Sequence, residues 1–279
     1  MLGAIIGDIV GSAYLNNNLK KKDFPLFTVN SEPTDDTIMT LAVCECIQKN
    51  YQNNKEMIIE TLKKWGRNYP YAGYGKRFYD WLFSDSNKAY GSCGNGAAMR
   101  ISAVGWYAQN EEEVKSMSKA LTYVTHNHPE GLKGAEVTAM CVYYARIGKT
   151  KEFIKDYVSK HYDIDFKYEE LLKNFKFYET CQKTVQQAIY CFLISDSFED
   201  CLRTTISIGG DCDTTAAISC AIAEAYYKEI DQELILNAIK LLPEDNKDCS
   251  PIGVLKKFLR YQKQVMSKNG GEHKWFGGY

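Results

Sequence analysis

The feature of the sequence that most restricts its fold is a helical spacing of apolar residues that recurs along nearly the whole chain. Val114, Met117, Leu121 and Val124 follow positions i, i+3, i+7 and i+10, and the segment 185–192 has a comparable spacing. This spacing places apolar side chains on one face of a helix, whereas the alternation typical of strands is almost absent. The sequence therefore predicts an all-α protein of about a dozen helices.

The predicted helices carry matching start signals and belong to one domain. Ser197 and Asp200 are spaced for a capping box, and Pro129 suits the first turn of a helix. The 279 residues are 45% hydrophobic, enough for one large core, and no internal repeat or low-complexity linker is found. We expect a single domain over residues 1–265 and a poorly packed C-terminal tail over residues 266–279.

The balance of charge and the pattern of apolar residues exclude two classes of partner. The chain has 34 basic and 35 acidic residues, so it has no bulk field that would attract nucleic acid or anionic lipid. The apolar N-terminus has no basic leader, and Asp8 interrupts it. No window approaches the roughly 18 apolar residues of a membrane span. We expect a cytoplasmic monomer that does not bind membranes.

Ten cysteines are scattered along the chain. The close pair Cys44 and Cys46 would point to different faces of a helix, and we interpret both as small core residues. Cys93 and Cys212 lie in polar, glycine-rich loops. They could line a site, but we assign neither a catalytic role.

Two segments each place carboxylates at the start of an apolar helix. In "PTDDTIMTLAV" a threonine can cap the helix and two aspartates fall in its first turn, and "GGDCDTTAAI" repeats this arrangement. The residues concerned are Thr34, Asp35, Asp36, Asp211, Asp213 and Thr214. Taken alone, the first segment favours simple compensation of the helix dipole, worth about 0.3–1 kcal/mol.

The duplication of the acidic pairs favours a metal site over helix capping. One capping group would serve each helix, and unpaired carboxylates at a buried helix end are costly. Neither motif contains an arginine or a lysine, so two divalent cations would supply the missing charge. Oxygen ligands suit magnesium, calcium or manganese rather than zinc. This prediction requires two segments about 175 residues apart to meet in space.

Two further segments carry candidate binding residues. Gly94 and Gly96 flank Asn95 in "AYGSCGNGAAMRISAVGW", where a helix is predicted to begin, so backbone amides could approach a phosphate. A tight connection between helices would need similar residues. In "VTHNHPEG", His126 is equally consistent with a ligand contact and with a structural hydrogen bond, whereas we interpret His128 as structural.

These segments together resemble a known family. The motifs "GAIIGDIVGS", "PTDDTIMTLAV", "YGSCGNGAAMR", "THNHPEG" and "IGGDCDTTAAI" occur in the order found in ADP-ribosylglycohydrolases, and the resemblance spans roughly residues 1–260. It implies a compact, orthogonal multi-helix bundle with two Mg²⁺ or Mn²⁺ ions and an ADP-ribose cleft. It also implies hydrolysis at the ribose anomeric carbon through an oxocarbenium-like transition state.

The resemblance also implies roles for individual residues. The metal ligands would be Thr34, Asp35, Asp36, Asp211, Asp213 and Thr214, and the four aspartates among them would be catalytic. Gly94, Asn95, Gly96 and His126 would bind the substrate, which would be ADP-ribose or an ADP-ribosylated protein. Nucleic acid would enter only as a modified substrate.

One position departs from the family pattern. Many relatives carry a glutamate after the first motif, and Leu15 occupies that place in "GSAYLNNN". Leucine can neither ligate a metal nor move a proton. Either the aspartates act alone, or Asn16 or Asn17 assists, or the chain binds ADP-ribose without efficient turnover.

Three functions therefore remain open from the sequence. The first is a metal-dependent ADP-ribosyl hydrolase that acts on a modified side chain, with arginine the commonest target in the family. The second is an ADP-ribose-binding module of the same fold. The third is a structural all-α protein whose aspartates cap helices, and the duplicated acidic pairs argue against it.

Overall fold

The regular structure of the chain is helical, as a computed structural model shows for residues 1–15, 19–173 and 176–268. The helices are α1 (Leu2–Ser12), α2 (Asp35–Gln48), α3 (Lys55–Asn68), α4 (Lys76–Phe83), α5 (Gly96–Met99), α6 (Ser102–Tyr107), α7 (Glu111–Tyr123), α8 (Pro129–Arg146), α9 (Lys151–Val158), α10 (Tyr168–Lys173), α11 (Cys181–Leu193), α12 (Phe198–Ser207), α13 (Cys212–Tyr227), α14 (Gln232–Leu241) and α15 (Pro251–Lys268). Within those ranges the β-structure is confined to an isolated bridge between Gly94 and Thr180. The prediction of an all-α bundle is confirmed.

The centre of the bundle is the packing of α1 against α13, which are the two helices in most extensive contact. Gly3, Gly7 and Gly11 form a stripe on α1, and a Cβ atom on Gly7 would lie only 2.3 Å from the carbonyl oxygen of Ala216. Because these residues have no side chain, the two backbones touch. The close approach also brings Gly11 against the backbone of Asp213, so α1 reaches the start of α13.

Three helices begin with polar residues at their cap positions, and two of these residues, Thr34 and Asp211, line the cavity described below. Thr34 caps α2 and its hydroxyl accepts a hydrogen bond from the Asp36 amide at 3.3 Å. Asp211 occupies the cap position of α13. His128 caps α8 by accepting from the Glu130 amide through Nδ1, with Pro129 as the first helical residue. The structural interpretation of His128 is therefore confirmed.

The helix starts predicted from the sequence agree with the structure, except that the helix predicted around residue 100 is divided into two. Ser197 caps α12 by accepting from the Asp200 amide, as predicted. The helix expected in "AAMRISAVGW" does begin there, but it ends at Met99 and a second short helix starts at Ser102. The turn falls at Arg100, whose buried guanidinium group is held by Thr125 Oγ1 at 2.7 Å.

The remaining fold expectations concern the cysteines, membranes and the tail. Cys44 and Cys46 are fully buried in the core, as interpreted from the sequence. None of the helices in the described part of the chain has both the length and the hydropathy needed to cross a bilayer. The last helix extends to Lys268, and residues 269–279 of the predicted tail lie outside the described residues.

Candidate active site

The two acidic segments meet, together with a third carboxylate from α1. One carboxylate oxygen from each of Asp8, Asp36 and Asp213 lies within 4.8 Å of the other two, and all three residues are buried. Thr214 Oγ1 donates a hydrogen bond to Asp36 Oδ2 at 3.0 Å, which links the start of α13 directly to the start of α2. The predicted meeting of the two segments is therefore found in the structure.

Asp8 is the member of this cluster that sequence reasoning missed. Its Oδ1 accepts from the hydroxyl of Thr34 at 2.7 Å, and its Oδ2 accepts from the amides of Thr34 and Thr37 at 2.9 and 3.0 Å. It therefore holds the first turn of α2 in place from α1. The available signal was a single carboxylate inside the otherwise apolar run "GAIIGDIVGS".

The carboxylates of the site are difficult to ionise together. Burial, and then the Asp213 carboxylate, raise the pKa of Asp8 to about 7. The same two causes hold the pKa values of Asp35 and Asp36 well above their usual range. Burial and the Asp211 carboxylate do so for Asp213. Clustered pKa values shifted in this way are typical of a functional site that gains stability from added positive charge.

The donor set fits a divalent cation. Asp36 Oδ1 is buried and has no hydrogen-bond partner among the described residues, although its other oxygen is satisfied by Thr214. A buried carboxylate oxygen without a partner costs free energy unless something binds it. The surrounding ligands are carboxylate and hydroxyl oxygens, which suit magnesium, calcium or manganese.

A cavity of about 690 Å³ opens beside these carboxylates. Asp35, Asp211 and Asp213 line it together with Thr34 and Thr214. The other predicted site residues in its wall are Leu15, Gly94, Asn95, Gly96 and His126. Its volume lies within the usual range for a small-molecule site.

Further residues in the cavity wall were not predicted as site residues from the sequence. They include the carboxylates Glu32 and Glu179, the cations Lys76 and Arg77, and the aromatic rings of Tyr71, Phe78, Tyr90 and Phe177. They come from the loop before α2, from the loop before α4 and α4 itself, and from the loops before α5 and α11. Their separation along the chain, without a local pattern, explains why the sequence did not reveal them.

The glycine-rich loop is partly occupied by its own hydrogen bonds. The amides of Gly91, Gly94 and Asn95 donate to Asn127 Oδ1, Ser92 Oγ and the Glu179 carbonyl oxygen at 2.7, 3.1 and 2.8 Å. Within the described part of the chain, the amide of Gly96 has no acceptor. Of these four loop amides, only that of Gly96 therefore stays available to a phosphate.

Asn95 connects this loop to the acidic cluster. Its side-chain nitrogen donates to Asp211 Oδ2 at 2.5 Å and to Thr184 Oγ1 at 3.1 Å. Burial raises the pKa of Asp211 to about 6, and this hydrogen bond acts in the opposite direction by favouring the ionised carboxylate. Asn95 thus orients Asp211.

His126 is held as a neutral hydrogen-bond donor towards the glycine loop. Arg100 lies 3.2 Å from His126 Nδ1, and Thr125 Oγ1 lies 2.8 Å from the same atom. A guanidinium group can only donate, so Nδ1 must accept and the proton resides on Nε2. Burial, and then the charges of Arg100 and Arg77, keep the pKa of His126 well below its usual range. Nε2 would lie 3.3 Å from a Cβ atom on Gly96.

Leu15, Cys93 and Cys212 complete the positions singled out from the sequence, and Cys212 is the first residue of α13 rather than a loop residue. Leu15 is half-buried and lines the cavity, whereas Asn16 and Asn17 lie outside the described residues. Cys93 also lines the cavity and is half-buried. Cys212 is fully buried and its thiol faces the carbonyl oxygens of Tyr14 and Ile206.

Comparisons with known proteins concern the family and the fold of the chain. A sequence model described as ADP-ribosylglycohydrolase matches residues 1–245 of the chain. A solved structure titled "ADP-ribosylglycohydrolase-related protein complex" has the same fold, with a TM-score of 0.68 at 20% identity over 95% of this chain and 97% of that one.

Relatives of similar length are named for the removal of ADP-ribose. ADP-ribosylhydrolase ARH3 of Xenopus tropicalis is 25% identical over 91% of this chain and 92% of its own, and the Homo sapiens protein of that name is 25% identical over 81% and 84%. The ADP-ribosyl-[dinitrogen reductase] glycohydrolase of Rhodospirillum rubrum is 26% identical over 70% and 68%.

Proposed function

The chain belongs to the ADP-ribosylglycohydrolase family, and from this membership we propose that it is a metal-dependent hydrolase of the glycosidic bond between ADP-ribose and a modified group. We propose a protein side chain as that group, with arginine as the first candidate. The named activities of the relatives support hydrolysis at an ADP-ribosyl bond. The observation that carries the metal dependence is the crowding of three buried carboxylates, Asp8, Asp36 and Asp213. Within this cluster Asp36 Oδ1 has no hydrogen-bond partner among the described residues, and Asp213 lines the cavity.

We assign the metal ligands to the polar caps of α2 and α13. They are Thr34, Asp35, Asp36, Asp211, Asp213 and Thr214. The hydroxyl groups of Thr34 and Thr214 donate their protons to Asp8 and Asp36, so the hydroxyl oxygens keep lone pairs for a cation. When bound, two Mg²⁺ or Mn²⁺ ions would neutralise the carboxylates and supply Lewis acidity for hydrolysis at the anomeric carbon.

Asp8 and Asn95 would position the ligands rather than act as ligands themselves. Both oxygens of Asp8 accept hydrogen bonds from the first turn of α2, which fixes the Thr34 side chain. Asn95 fixes Asp211 by donating a hydrogen bond to its Oδ2 atom. Such outer contacts set ligand orientation and typically change metal affinity or activity by about 10–100-fold when removed.

The diphosphate of ADP-ribose would lie against Gly94, Asn95 and Gly96. The free Gly96 amide and the Nε2–H group of His126 both donate near this loop, and a diphosphate offers acceptor oxygens. Because His126 is neutral, it contributes a hydrogen bond rather than a full charge. The ribose would then extend towards Asp35 and Asp213, where the scissile bond would lie.

Substitution of Gly94 tests this placement. A Cβ atom there would lie 3.2 Å from Ser92 Oγ and 3.5 Å from the Glu179 carbonyl oxygen, so the larger side chain of valine would press on Ser92 and on the segment at Glu179. We expect Gly94→Val to weaken ADP-ribose binding by at least about tenfold, or about 1.4 kcal/mol, in calorimetry. Gly75→Val is the matched control, because Gly75 lines the same cavity and a Cβ atom on it would have no neighbour within 4 Å. Equal affinities of the two variants would contradict the placement.

The direct test of the function is a turnover assay on a protein carrying ADP-ribosylarginine. We expect release of ADP-ribose with Mg²⁺ or Mn²⁺ and none after treatment with EDTA. Parallel substrates with ADP-ribose on serine or on a nucleic-acid end would identify a different leaving group. Absence of metal-dependent release from every substrate would rule out the hydrolase.

The second candidate is an ADP-ribose-binding module, and Leu15 is the observation that favours it. This residue lines the cavity where the family pattern has a glutamate, and it cannot handle a proton. Measurable ADP-ribose affinity without turnover would support this alternative.

The extent of the domain is also a proposal. The family match ends at residue 245, but α15 continues the same packing unit. Gln48 Nε2 donates to the Val254 carbonyl oxygen at 3.0 Å, and Gln262 Nε2 donates to Glu224 Oε1 at 2.9 Å. These contacts support one domain that includes α15. The monomeric state and the cytoplasmic location stay predictions from the sequence.

A further inference from the structure

Cys93 and Cys181 lie opposite each other in the only strand-like contact of the described residues. The isolated antiparallel bridge pairs Gly94 with Thr180. The Asn95 amide donates to the Glu179 carbonyl oxygen at 2.8 Å, and the Cys181 amide donates to the Cys93 carbonyl oxygen at 3.0 Å. In an antiparallel pairing, the residues on each side of a bridge are also opposite each other. The backbone register therefore places one thiol across from the other.

The spacing of such a pair is close to that of a disulfide. Opposite residues of an antiparallel pair have Cβ atoms about 4.5–5.5 Å apart and side chains on the same face. A disulfide needs a Cβ separation of about 3.5–4.5 Å and a Cα separation of about 4.4–6.8 Å. Cys181 Sγ already lies 3.2 Å from the Gly94 carbonyl oxygen, on the strand that carries Cys93. The typical Cβ separation of an opposite pair and that of a disulfide therefore meet at about 4.5 Å.

Cys93 and Cys181 differ from the other cysteines in that one member of the pair can be reached by a solute. Cys93 is half-buried and lines the cavity, so a small solute can reach it. Burial raises the pKa of Cys181 to about 12, which makes Cys181 a slow first target but leaves it able to react with an oxidised neighbour. Cys201 and Cys220 are also close enough to interact, but both are fully buried on α12 and α13.

We propose that Cys93 and Cys181 form an oxidation site in the wall of the cavity. A hydroperoxide first oxidises the Cys93 thiol to a sulfenic acid and is itself reduced to water or an alcohol. The Cys181 thiol then attacks the Cys93 sulfur, a sulfur–sulfur bond forms, and the hydroxyl group leaves with a proton as water. The two thiols together lose two protons and two electrons, which the peroxide accepts.

The disulfide would change the cavity through Gly94 and Asn95, the two residues that follow Cys93 in the chain. Formation of the disulfide would draw the segments around Gly94 and Thr180 together. It would also remove the Cys93 side chain from the cavity wall. The shift is transmitted to Gly94 and Asn95, which lie next to Cys93, and Asn95 holds Asp211. We expect ADP-ribose to bind about tenfold more weakly to the oxidised protein, equivalent to about 1.4 kcal/mol. This consequence rests on the proposed function, whereas the oxidation itself does not.

The experiment treats the full chain with hydrogen peroxide, blocks the remaining thiols and maps the peptides by mass spectrometry. We expect loss of two hydrogens and a linked peptide pair that contains Cys93 and Cys181. Cys93→Ser and Cys181→Ala should each abolish the linked pair, and Cys201→Ala should leave it unchanged. Cys93→Ser keeps the residue size, so it reports on the site even if Cys181→Ala does not fold. No linked pair, or a link between Cys201 and Cys220 instead, would overturn the proposal.

Calorimetry with ADP-ribose on the reduced and oxidised proteins then tests the effect on the cavity. Weaker binding after oxidation in the unmodified chain, but not in Cys93→Ser, would support it. Equal affinities in a protein that carries the mapped disulfide would overturn the link to the cavity. If the reduced protein does not bind ADP-ribose at all, the proposed function fails, while the peptide map still decides whether the two thiols form the oxidation site.

Discussion

Replacement of Asp213 by asparagine is expected to lower metal-dependent turnover by about 10³-fold and to remove the stabilisation of the protein by Mg²⁺ or Mn²⁺. Asp213 supplies one of the three carboxylates that meet within 4.8 Å, and its substitution removes a charge that the cation would bind. Asparagine keeps the shape of the side chain. The change therefore tests charge rather than packing.

Melting temperatures with and without metal separate the stabilisation that comes from metal binding from the destabilisation that comes from repulsion among the carboxylates. In the unmodified chain, free metal at about 100 times its Kd should raise stability by about 2.7 kcal/mol through mass action. EDTA should reverse this gain. In EDTA, Asp213→Asn should melt no lower than the unmodified chain, because one of three buried, mutually repelling carboxylates is gone. With metal, the variant should gain almost nothing.

Asp231→Asn is the matched control for this measurement. Asp231 is exposed and caps α14, where asparagine caps equally well, so metal should stabilise this variant as it does the unmodified chain. The proposed metal centre would be wrong if metal did not raise the melting temperature of the unmodified chain. It would also be wrong if Asp213→Asn responded to metal in the same way.

The sequence was sufficient to predict the fold class and the two acidic segments, because both depend on residues that are close together in the chain. Helical spacing determines which face of each helix is buried, and a cap of the form Thr-Asp-Asp is visible in consecutive letters. Asp8 was not recognised because a single acid in an apolar helix has the same local appearance whether it faces a site or a gap in the core. Its role depends on the contact between α1 and α2.

The hydrogen bonds of the glycine loop could not be predicted from the sequence. The sequence correctly indicated that a helix follows Gly94, and this helix begins at Gly96, but the sequence could not show that three neighbouring amides donate within the protein. Those acceptors come from residues 92, 127 and 179, two of them far away along the chain. The tautomer of His126 is likewise set by Arg100, whose position depends on the break between α5 and α6.

The second large effect is expected at residue 15, where Leu15→Glu should raise the rate of ADP-ribosylarginine hydrolysis by about 10²–10⁴-fold, the range for one positioned acid–base group. Leu15 is half-buried and lines the cavity, so a carboxylate introduced there would face the same space as Asp35 and Asp213. ADP-ribose affinity should change much less. The proposed contacts to the diphosphate and the ribose do not involve this side chain.

A comparison of Leu15→Glu with Leu15→Gln separates proton transfer from the effect of a polar side chain. The two variants are nearly equal in size, but only glutamate can take up and release a proton at the scissile bond. We therefore expect Leu15→Gln to remain as slow as the unmodified chain with both Mg²⁺ and Mn²⁺. If the unmodified chain is already fast and Leu15→Glu changes nothing, the aspartates carry the reaction unaided, or Leu15 does not stand at the position of the family glutamate.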